Sequence, residues 1–123
     1  MTHERLQVGK RGEDLALARL EGLGYRCIAR NYRCSLGEVD LIAMDRDTLV
    51  FVEIKTRRGR SAGYAKEAID KRKQRQLSKV ALAYMKAEGC CDVRSRFDVV
   101  AVNLTRGEDR IEIVKNAFDL AYE

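Results

Sequence analysis

Two consecutive strand-like runs that carry acidic residues limit what this chain of 123 residues can fold into. They lie between Leu36 and Arg57, in the sequence L-G-E-V-D-L-I-A-M-D-R-D-T-L-V-F-V-E-I-K-T-R. In the first run, apolar residues recur at strand spacing (Val39, Leu41, Ala43). Polar residues 45–47 predict a tight turn, and the run that starts at Thr48 is rich in β-branched residues. The stretch therefore predicts a β-hairpin.

Four charged side chains interrupt the apolar pattern of this hairpin. Because side chains alternate across a strand, Glu38 and Asp40 are expected on one face, and so are Glu53 and Lys55. An unpaired carboxylate that is buried destabilises the fold or stays protonated, so these acids need a partner. Mg²⁺ accepts oxygen ligands from one or two carboxylates and keeps waters for chemistry. A divalent-metal site is therefore the favoured interpretation, and cross-strand salt bridges on a solvated face are the alternative.

The spacing of these residues resembles the D…(D/E)-x-K signature of the restriction-endonuclease-like superfamily. Here Asp40 is followed by a hairpin and then by Glu53-Ile54-Lys55. The longer pattern resembles the YraN-like family more closely, and that family looks like the archaeal Holliday-junction resolvases. The matching segments keep their order over most of the chain: Gly12-Glu13-Asp14-x-Ala16, Arg30-Asn31-Tyr32-Arg33, Gly37-Glu38-Val39-Asp40-Leu41-Ile42, Phe51-Val52-Glu53-Ile54-Lys55-Thr56-Arg57 and Arg96-Phe97-Asp98-Val99-Val100.

This resemblance implies a fold and a chemistry. The fold would be a single restriction-endonuclease-like α/β domain over residues 1–123, with a mixed central sheet flanked by helices. The activity would be metal-dependent hydrolysis of phosphodiester bonds in DNA, including branched or structured DNA. Asp40 and Glu53 would hold Mg²⁺ or Mn²⁺, and the carbonyl of Ile54 would add a ligand. Lys55 would position the attacking water or neutralise developing charge.

The N-terminal segment predicts a helix from about His3 to Leu23. One apolar stripe of this helix contains three leucines and one acid (Leu6, Leu17, Leu20 and Glu13). A core-facing acid needs a partner, so Glu13 is expected to point towards the carboxylates, and a side chain that reaches solvent is the alternative. Glu13 and Glu38 are further candidates as metal ligands or as residues that orient the ligands.

The remaining pattern alternates strands with one more helix. It predicts a strand from Tyr25 to Arg33, a basic loop from Thr56 to Tyr64, a helix from about Ala65 to Glu88, a buried strand from Arg96 to Leu104, an edge strand from Ile111 to Val114 and a short helix between Asn116 and Tyr122. Within the buried strand, Asp98 is expected to pair with a basic residue.

Basic residues are concentrated after the proposed metal site. Ten basic and two acidic residues lie between Lys55 and Lys79, a local balance of +8 in a chain of net charge +5. Such a block predicts a polyanionic partner, with a solvated helix face as the alternative. The candidates for binding nucleic acid are Arg57, Arg58, Arg60, Lys73 and Gln76. The last two rest on the resemblance, because a helix after the E-x-K strand of such folds often adds a lysine or glutamine to the site; the alternative is that their stems simply cover the edge of the sheet.

Other classes of function find little support in the sequence. No apolar run is long enough to span a membrane, and no signal-peptide pattern occurs, so a cytoplasmic location is expected. The four cysteines form no C-x-x-C pair, and the single histidine, His3, offers no catalytic triad. Two alternatives to a nuclease stay open: a non-catalytic nucleic-acid-binding module with the same fold, and an interaction domain for an acidic protein. DNA or RNA, and monomer or homodimer, stay open as well.

Overall fold

A mixed β-sheet lies between two helices in the part of the chain that the structure describes. This structure is a computed structural model that describes residues 3–58, 69–105 and 107–120, with side chains from residue 7 onward. The elements are α1 (His3–Gly22), β1 (Arg26–Cys34), β2 (Gly37–Asp45), β3 (Thr48–Arg58), α2 (Lys71–Ala87), β4 (Ser95–Leu104) and β5 (Arg110–Phe118). Neither helix, within these limits, is long and apolar enough to cross a membrane.

The sheet has five strands in the order β1-β2-β3-β4-β5. Strands β3 and β4 are parallel, with α2 in the connection between them, and the other neighbours are antiparallel. This confirms the predicted α/β class with a mixed sheet, and it is consistent with a restriction-endonuclease-like fold. The expected edge strand is present and longer than predicted, as β5.

Each face of the sheet is covered by one helix. Helix α2 packs through Leu77, Val80, Ala81, Tyr84 and Met85 on Val39, Ile42, Leu49, Phe51, Phe97 and Val99, which together form the α2-side core. Helix α1 packs through Ala16 and Leu20 on Leu41, Ala43, Val50, Val52, Val100 and Val102, which form the α1-side core. The central strand β3 is buried on both faces from Thr48 to Glu53, so a carboxylate in it is largely removed from water.

Small residues bring α1 close to β3. Gly12, Ala16 and Leu20 are buried at four-residue spacing, and a Cβ atom added at Gly12 would overlap the side chain of Thr56. The prediction that three leucines form the buried face of this helix is only partly confirmed. Leu20 is buried and Leu17 is half-buried, and the side chain of Leu6 lies outside the described part.

A polar cluster centred on Asp98 joins β2, β4 and β5 to Tyr25, the residue before β1. This fully buried carboxylate accepts hydrogen bonds from Tyr25 Oη (2.8 Å), Arg96 Nε (2.9 Å) and the backbone N–H of Asn116 (2.9 Å). Arg96 also donates to Asp45 at 2.7 Å. The prediction that Asp98 pairs with a basic residue is therefore confirmed, and its role in these contacts is structural.

The structure corrects the start of the second helix. Helix α2 begins at Lys71 and not near Ala65, because Asp70 caps it by accepting from the Lys73 N–H at 2.8 Å. Residues 65–68 lie outside the described part. The segment Thr56–Arg58, which was expected in a loop, continues β3, and the rest of that loop, 59–64, is not among the described residues.

The helix predicted between Asn116 and Tyr122 is wrong. Strand β5 continues to Phe118, whose ring stacks on Phe97 with 4.6 Å between the ring centroids. The Asn116 N–H is held by Asp98, which lies 18 residues away in the chain. Long-range contacts therefore decide the conformation of this segment; residues 121–123 are not described.

The close approach of α1 predicts opposite effects for two glycine substitutions in the same helix. Gly12→Ala should lower the free energy of unfolding by about 1–3 kcal/mol, because an overpacked side chain forces its neighbours to shift. Gly9→Ala is the matched control: nothing lies within 4 Å of the added Cβ, so better helix propensity should raise stability by up to about 1 kcal/mol. Urea denaturation measures both, and equal midpoints would contradict the close packing of α1 on β3.

Candidate metal centre and nucleic-acid interface

The alternation of side chains along β2 breaks at Asp40. Val39 belongs to the α2-side core, whereas Leu41 and Ala43 belong to the α1-side core. The prediction that these three residues share one face is therefore wrong. At the same level of β1, Asn31 has a left-handed backbone (φ 51°), a conformation that asparagine tolerates better than most residues. The regular alternation of side chains between the two faces is therefore interrupted in both β1 and β2 at the level of Asp40.

Asp40 lies where β2 separates from β3. The pairing of these strands runs from Asp45↔Thr48 to Leu41↔Val52. One residue further, the Asp40 carboxylate accepts a hydrogen bond from the Ile54 N–H at 2.7 Å. The N–H and C=O of one strand residue point to the same side, so the carbonyl of Ile54 also points towards Asp40. A side chain thus replaces a ladder hydrogen bond and fixes one carboxylate beside β3.

Glu53 is the buried partner of Asp40. Its side chain is 7 % exposed, and its Oε2 lies 3.3 Å from Lys73 Nζ. Burial raises the pKa of Glu53 to about 8, and the charge of Asp40 and a hydrogen bond with Asp40 act in the same direction, while Lys73 opposes them. At neutral pH and without a metal ion, Glu53 is therefore mostly protonated, although Lys73 favours its charged form.

Helix α2 supplies two polar side chains to the same region. The cap at Asp70 fixes the first turn, from which Lys73 reaches Glu53. One turn later, Gln76 packs over Gly37, where an added Cβ would lie 2.8 Å from Gln76 Nε2. Gly37 also has φ +143°, which disfavours any other residue. Gly37 thereby lets α2 approach the start of β2; of the two predicted helix residues, Lys73 contacts Glu53 and Gln76 packs on Gly37.

Glu13 approaches from α1, on the other side of the sheet. Burial is the largest cause of a raised pKa at Glu13, and the negative charge of Asp40 is the next largest. The positive charge of Arg30 lowers the pKa of Glu13. Arg30 itself pairs with Asp14 at 2.9 Å. Glu13 therefore lies within electrostatic reach of Asp40, as its helical spacing predicted, and its role in catalysis stays a prediction.

Glu38 lies in a different environment. Its Oε2 pairs with Arg33 Nε at 2.8 Å across the β1–β2 hairpin, and its side chain is about half exposed. Its charge contributes to the raised pKa of Glu13, so it acts on the cluster from a distance. This position suits a residue that shapes the charge around the site better than a direct ligand.

The basic candidates on β3 divide between its two faces. Lys55 and Arg57 follow Glu53 at two-residue spacing and are half-buried on its face of the strand. Arg58 ends the strand and is exposed. Arg60 lies outside the described residues. Two cations are thus aligned with the acid along one strand.

Asn103 was not among the predicted site residues; it lies next to Arg57 in the register of the parallel strands. Its side-chain Oδ1 is buried and accepts no hydrogen bond within the described part of the chain. A polar residue inside an otherwise apolar run was the available signal. Asn103 and Arg57 lie at the carboxyl ends of parallel strands, the edge at which open α/β sheets bind ligands.

The arrangement fits a small oxygen-ligated metal ion. Among the residues described, no three His, Cys, Asp or Glu side chains form a group that would enclose a metal by themselves. Mg²⁺ does not require one, because it binds through one or two carboxylates and retains several waters. Asp40, Glu53 and the Ile54 carbonyl offer such a donor set.

The pKa of Glu53 predicts how stability depends on pH. Because it rises from 4.5 to about 8 on folding, its stabilising contribution is complete below pH 4.5 and is lost as pH rises through about 8. In EDTA, the wild type should therefore lose stability over this range. Glu53→Gln mimics the protonated acid, so it should remove this dependence and raise stability by at least about 1 kcal/mol at pH 9.

Thermal denaturation between pH 5 and pH 9 measures this effect, with Glu38→Gln as the exposed control. The control should keep the pH dependence of the wild type. Parallel curves for the wild type and Glu53→Gln would show that the acid pair is not buried as described.

Comparison with known proteins gives a consistent result. The chain matches the family model of the Uncharacterised protein family UPF0102 over residues 12–102. It is 52% identical over 122 residues to a UPF0102 protein of Geobacter sulfurreducens, covering 98% of this chain and 95% of that protein. It is 47% identical over 119 residues to a UPF0102 protein of Syntrophus aciditrophicus, covering 97% and 94%. This confirms the YraN-like resemblance: the chain belongs to the UPF0102 family.

Proposed function

We propose that this protein is a nuclease that uses Mg²⁺ or Mn²⁺ to hydrolyse phosphodiester bonds in DNA, branched or structured DNA included. The observation that carries the proposal is the contact of Asp40 with both Glu53 and the Ile54 N–H at the point where β2 leaves β3. It gathers two carboxylates and one carbonyl at a single position. A protein that only bound nucleic acid would gain nothing from a buried acid pair that destabilises its fold.

Each residue of the site has a distinct task in this proposal. Asp40, Glu53 and the carbonyl of Ile54 would hold the metal, which supplies a coordinated water of lowered pKa and offsets charge on the phosphate oxygens. Glu13, which lies within electrostatic reach of Asp40 on the α1 side, would help to orient the ligands. Glu38, paired with Arg33, keeps negative charge at the rim.

The two lysines near Glu53 have different tasks. Lys73 contacts Glu53 from helix α2, and its charge favours the carboxylate form that a metal would bind. Lys55 is half-buried on the same face of β3, and none of the described residues forms an ion pair with it. It is therefore available to meet the charge that develops on the phosphate during hydrolysis.

The basic residues beside the acids favour a polyanionic substrate. Arg57 continues the row of Glu53 and Lys55 along β3, and Gln76 and Lys73 border it on α2. Phosphate groups on either side of the scissile bond would contact these side chains, which position the backbone without reading the sequence. Arg58 and Arg60 extend the same basic segment along the chain.

The metal assignment predicts a thermal shift that depends on Asp40. Mg²⁺ or Mn²⁺ should raise the melting temperature of the wild type, because a ligand that binds only the folded state stabilises it by about 2.7 kcal/mol at one hundred times Kd. Asp40→Asn should abolish this increment. Its amide oxygen can still accept from the Ile54 N–H, so the fold should survive.

The matched control is Asp92→Asn, an exposed acid beyond the far end of α2. It should retain the full metal-induced shift in differential scanning calorimetry. A wild type whose melting temperature does not respond to either ion, with or without DNA, would leave salt bridges as the explanation of the acids.

Lys55 distinguishes an enzyme from a binding module. Lys55→Ala and Lys55→Met should leave the metal-induced shift intact and weaken DNA binding only slightly, because the described carboxylates have Lys73 as a cation. Cleavage should fall by a factor on the order of one hundred or more, the scale for loss of a preorganised charge that acts in the transition state.

Cleavage is measured on linear duplex, flap, four-way junction and single-stranded DNA with Mg²⁺, Mn²⁺ or EDTA. Lys10→Ala, an exposed lysine on α1, controls for the loss of one charge and should cut like the wild type. If wild type and Lys55→Ala cut equally, or if neither cuts any substrate, the non-catalytic binding module replaces the nuclease.

A further inference from the structure

The solvent-facing side of α2 carries a row of cations. Lys71, Arg75 and Lys79 follow one another at four-residue spacing, and Arg72 and Lys86 lie on the same side of the helix. We call these five residues the α2 basic stripe. Four of them are exposed and Arg75 is half-buried. The stripe is opposite to the helix face that packs on the sheet through Leu77, Val80 and Tyr84.

This row destabilises the helix that carries it. Helix α2 contains no acidic residue between Lys71 and Ala87, so like charges face one another at four-residue spacing, each pair unfavourable by about 0.2–0.5 kcal/mol. Its first turn contains three cations at the positive end of the helix dipole, where negative charge would be favoured. No member of the stripe forms an ion pair with any residue that the structure describes. Such an arrangement suits an external anion and not a solvated face of mixed charge.

The stripe begins in the turn of α2 that contacts the acid pair from its sheet-facing side, and it leads away from that turn. Lys73, which lies between Arg72 and Arg75 in the sequence, contacts Glu53, so the first turn of α2 borders the site. From Lys71 to Lys86 the helix rises about 22 Å. This distance corresponds to about six or seven base pairs of B-form DNA at a rise of 3.4 Å.

We propose that the α2 basic stripe binds the phosphate backbone of the duplex that flanks the scissile phosphate. This inference rests on the proposed function for the nature of the polyanion. A straight helix holds its cations at fixed positions along a line, which matches the rigid backbone of a duplex over several base pairs. A flexible single strand could bind the residues nearest the acids equally well without this row. The substrate class is therefore DNA with a double-stranded arm on the α2 side of the cut.

The test compares two variants that lose the same charge. One replaces Lys71, Arg75 and Lys79 by Gln, and the control replaces Lys10, Arg19 and Arg26, which are exposed on α1 and β1. Fluorescence anisotropy in EDTA, over a range of NaCl concentrations, measures binding to a duplex of about 20 base pairs and to one of its strands, lengths that exceed the stripe on both sides. Circular dichroism verifies the helix content of each variant.

Three lost phosphate contacts should reduce the slope of log K against log salt on the duplex by about three. The control should change the duplex slope by less than about one, and the stripe variant should change the single-strand slope by less than about one. Equal duplex slopes for both variants would show a solvated face or a surface for an acidic protein. An equal loss on duplex and single strand would show a general anion surface. Either result overturns the inference.

Cleavage with Mg²⁺ of the same duplex and of the flap, four-way junction and single-stranded substrates, measured in parallel, separates this inference from the proposed function. A wild type that binds with a stripe-dependent slope but cuts none of these substrates contradicts the nuclease and leaves the duplex surface intact. A wild type that cuts, with a salt slope that the stripe variant leaves unchanged, contradicts the surface and leaves the nuclease intact. Wild type that binds no DNA even at low salt contradicts both.

Discussion

The hydrogen bond from the Ile54 N–H to the Asp40 carboxylate is the contact on which the candidate site depends. It satisfies a backbone donor that loses its ladder partner where β2 leaves β3. Because the acceptor is a side chain, the same contact draws an acid towards the centre of the sheet, where Glu53 is buried. The charges around the site follow from this pairing: Lys73 approaches one acid from α2, and the Arg30 charge faces Glu13 from the other side.

The spacing of residues within single strands and helices predicted much of this site, but features that depend on contacts between elements were not predicted. The two-residue period of β3 predicts that Glu53 and Lys55 share one face, and the helical period of α1 predicts that Glu13 points towards the acids. The interrupted alternation at Asp40 was not predicted, because it depends on a left-handed backbone at Asn31 in the neighbouring strand. An asparagine permits that conformation without requiring it. A single two-residue period along β2 predicts Val39 on the same face as Leu41 and Ala43, whereas Val39 lies on the opposite face.

The difference between local spacing and contacts between elements also explains which parts of the fold were predicted correctly. Continuous apolar runs predicted the buried strands, and α2 was recognised by its core-facing residues although its start depended on the cap at Asp70. The last segment was predicted as a helix because no local pattern opposed it. Contacts with Phe97 and Asp98 hold it in the sheet instead. Packing of α1 through Gly12 was also missed, since a small residue is informative only when its neighbour, Thr56, is known.

The cluster around Asp98 has a consequence for how the molecule opens. One buried carboxylate joins Tyr25, the residue before β1, to Asn116 in β5, and Arg96 joins it to Asp45 at the end of β2. The two edges of the sheet are therefore coupled although three strands separate them. Fraying of either edge would remove a hydrogen bond from this buried acid, so we expect both edges to exchange their amide hydrogens cooperatively with the centre of the sheet.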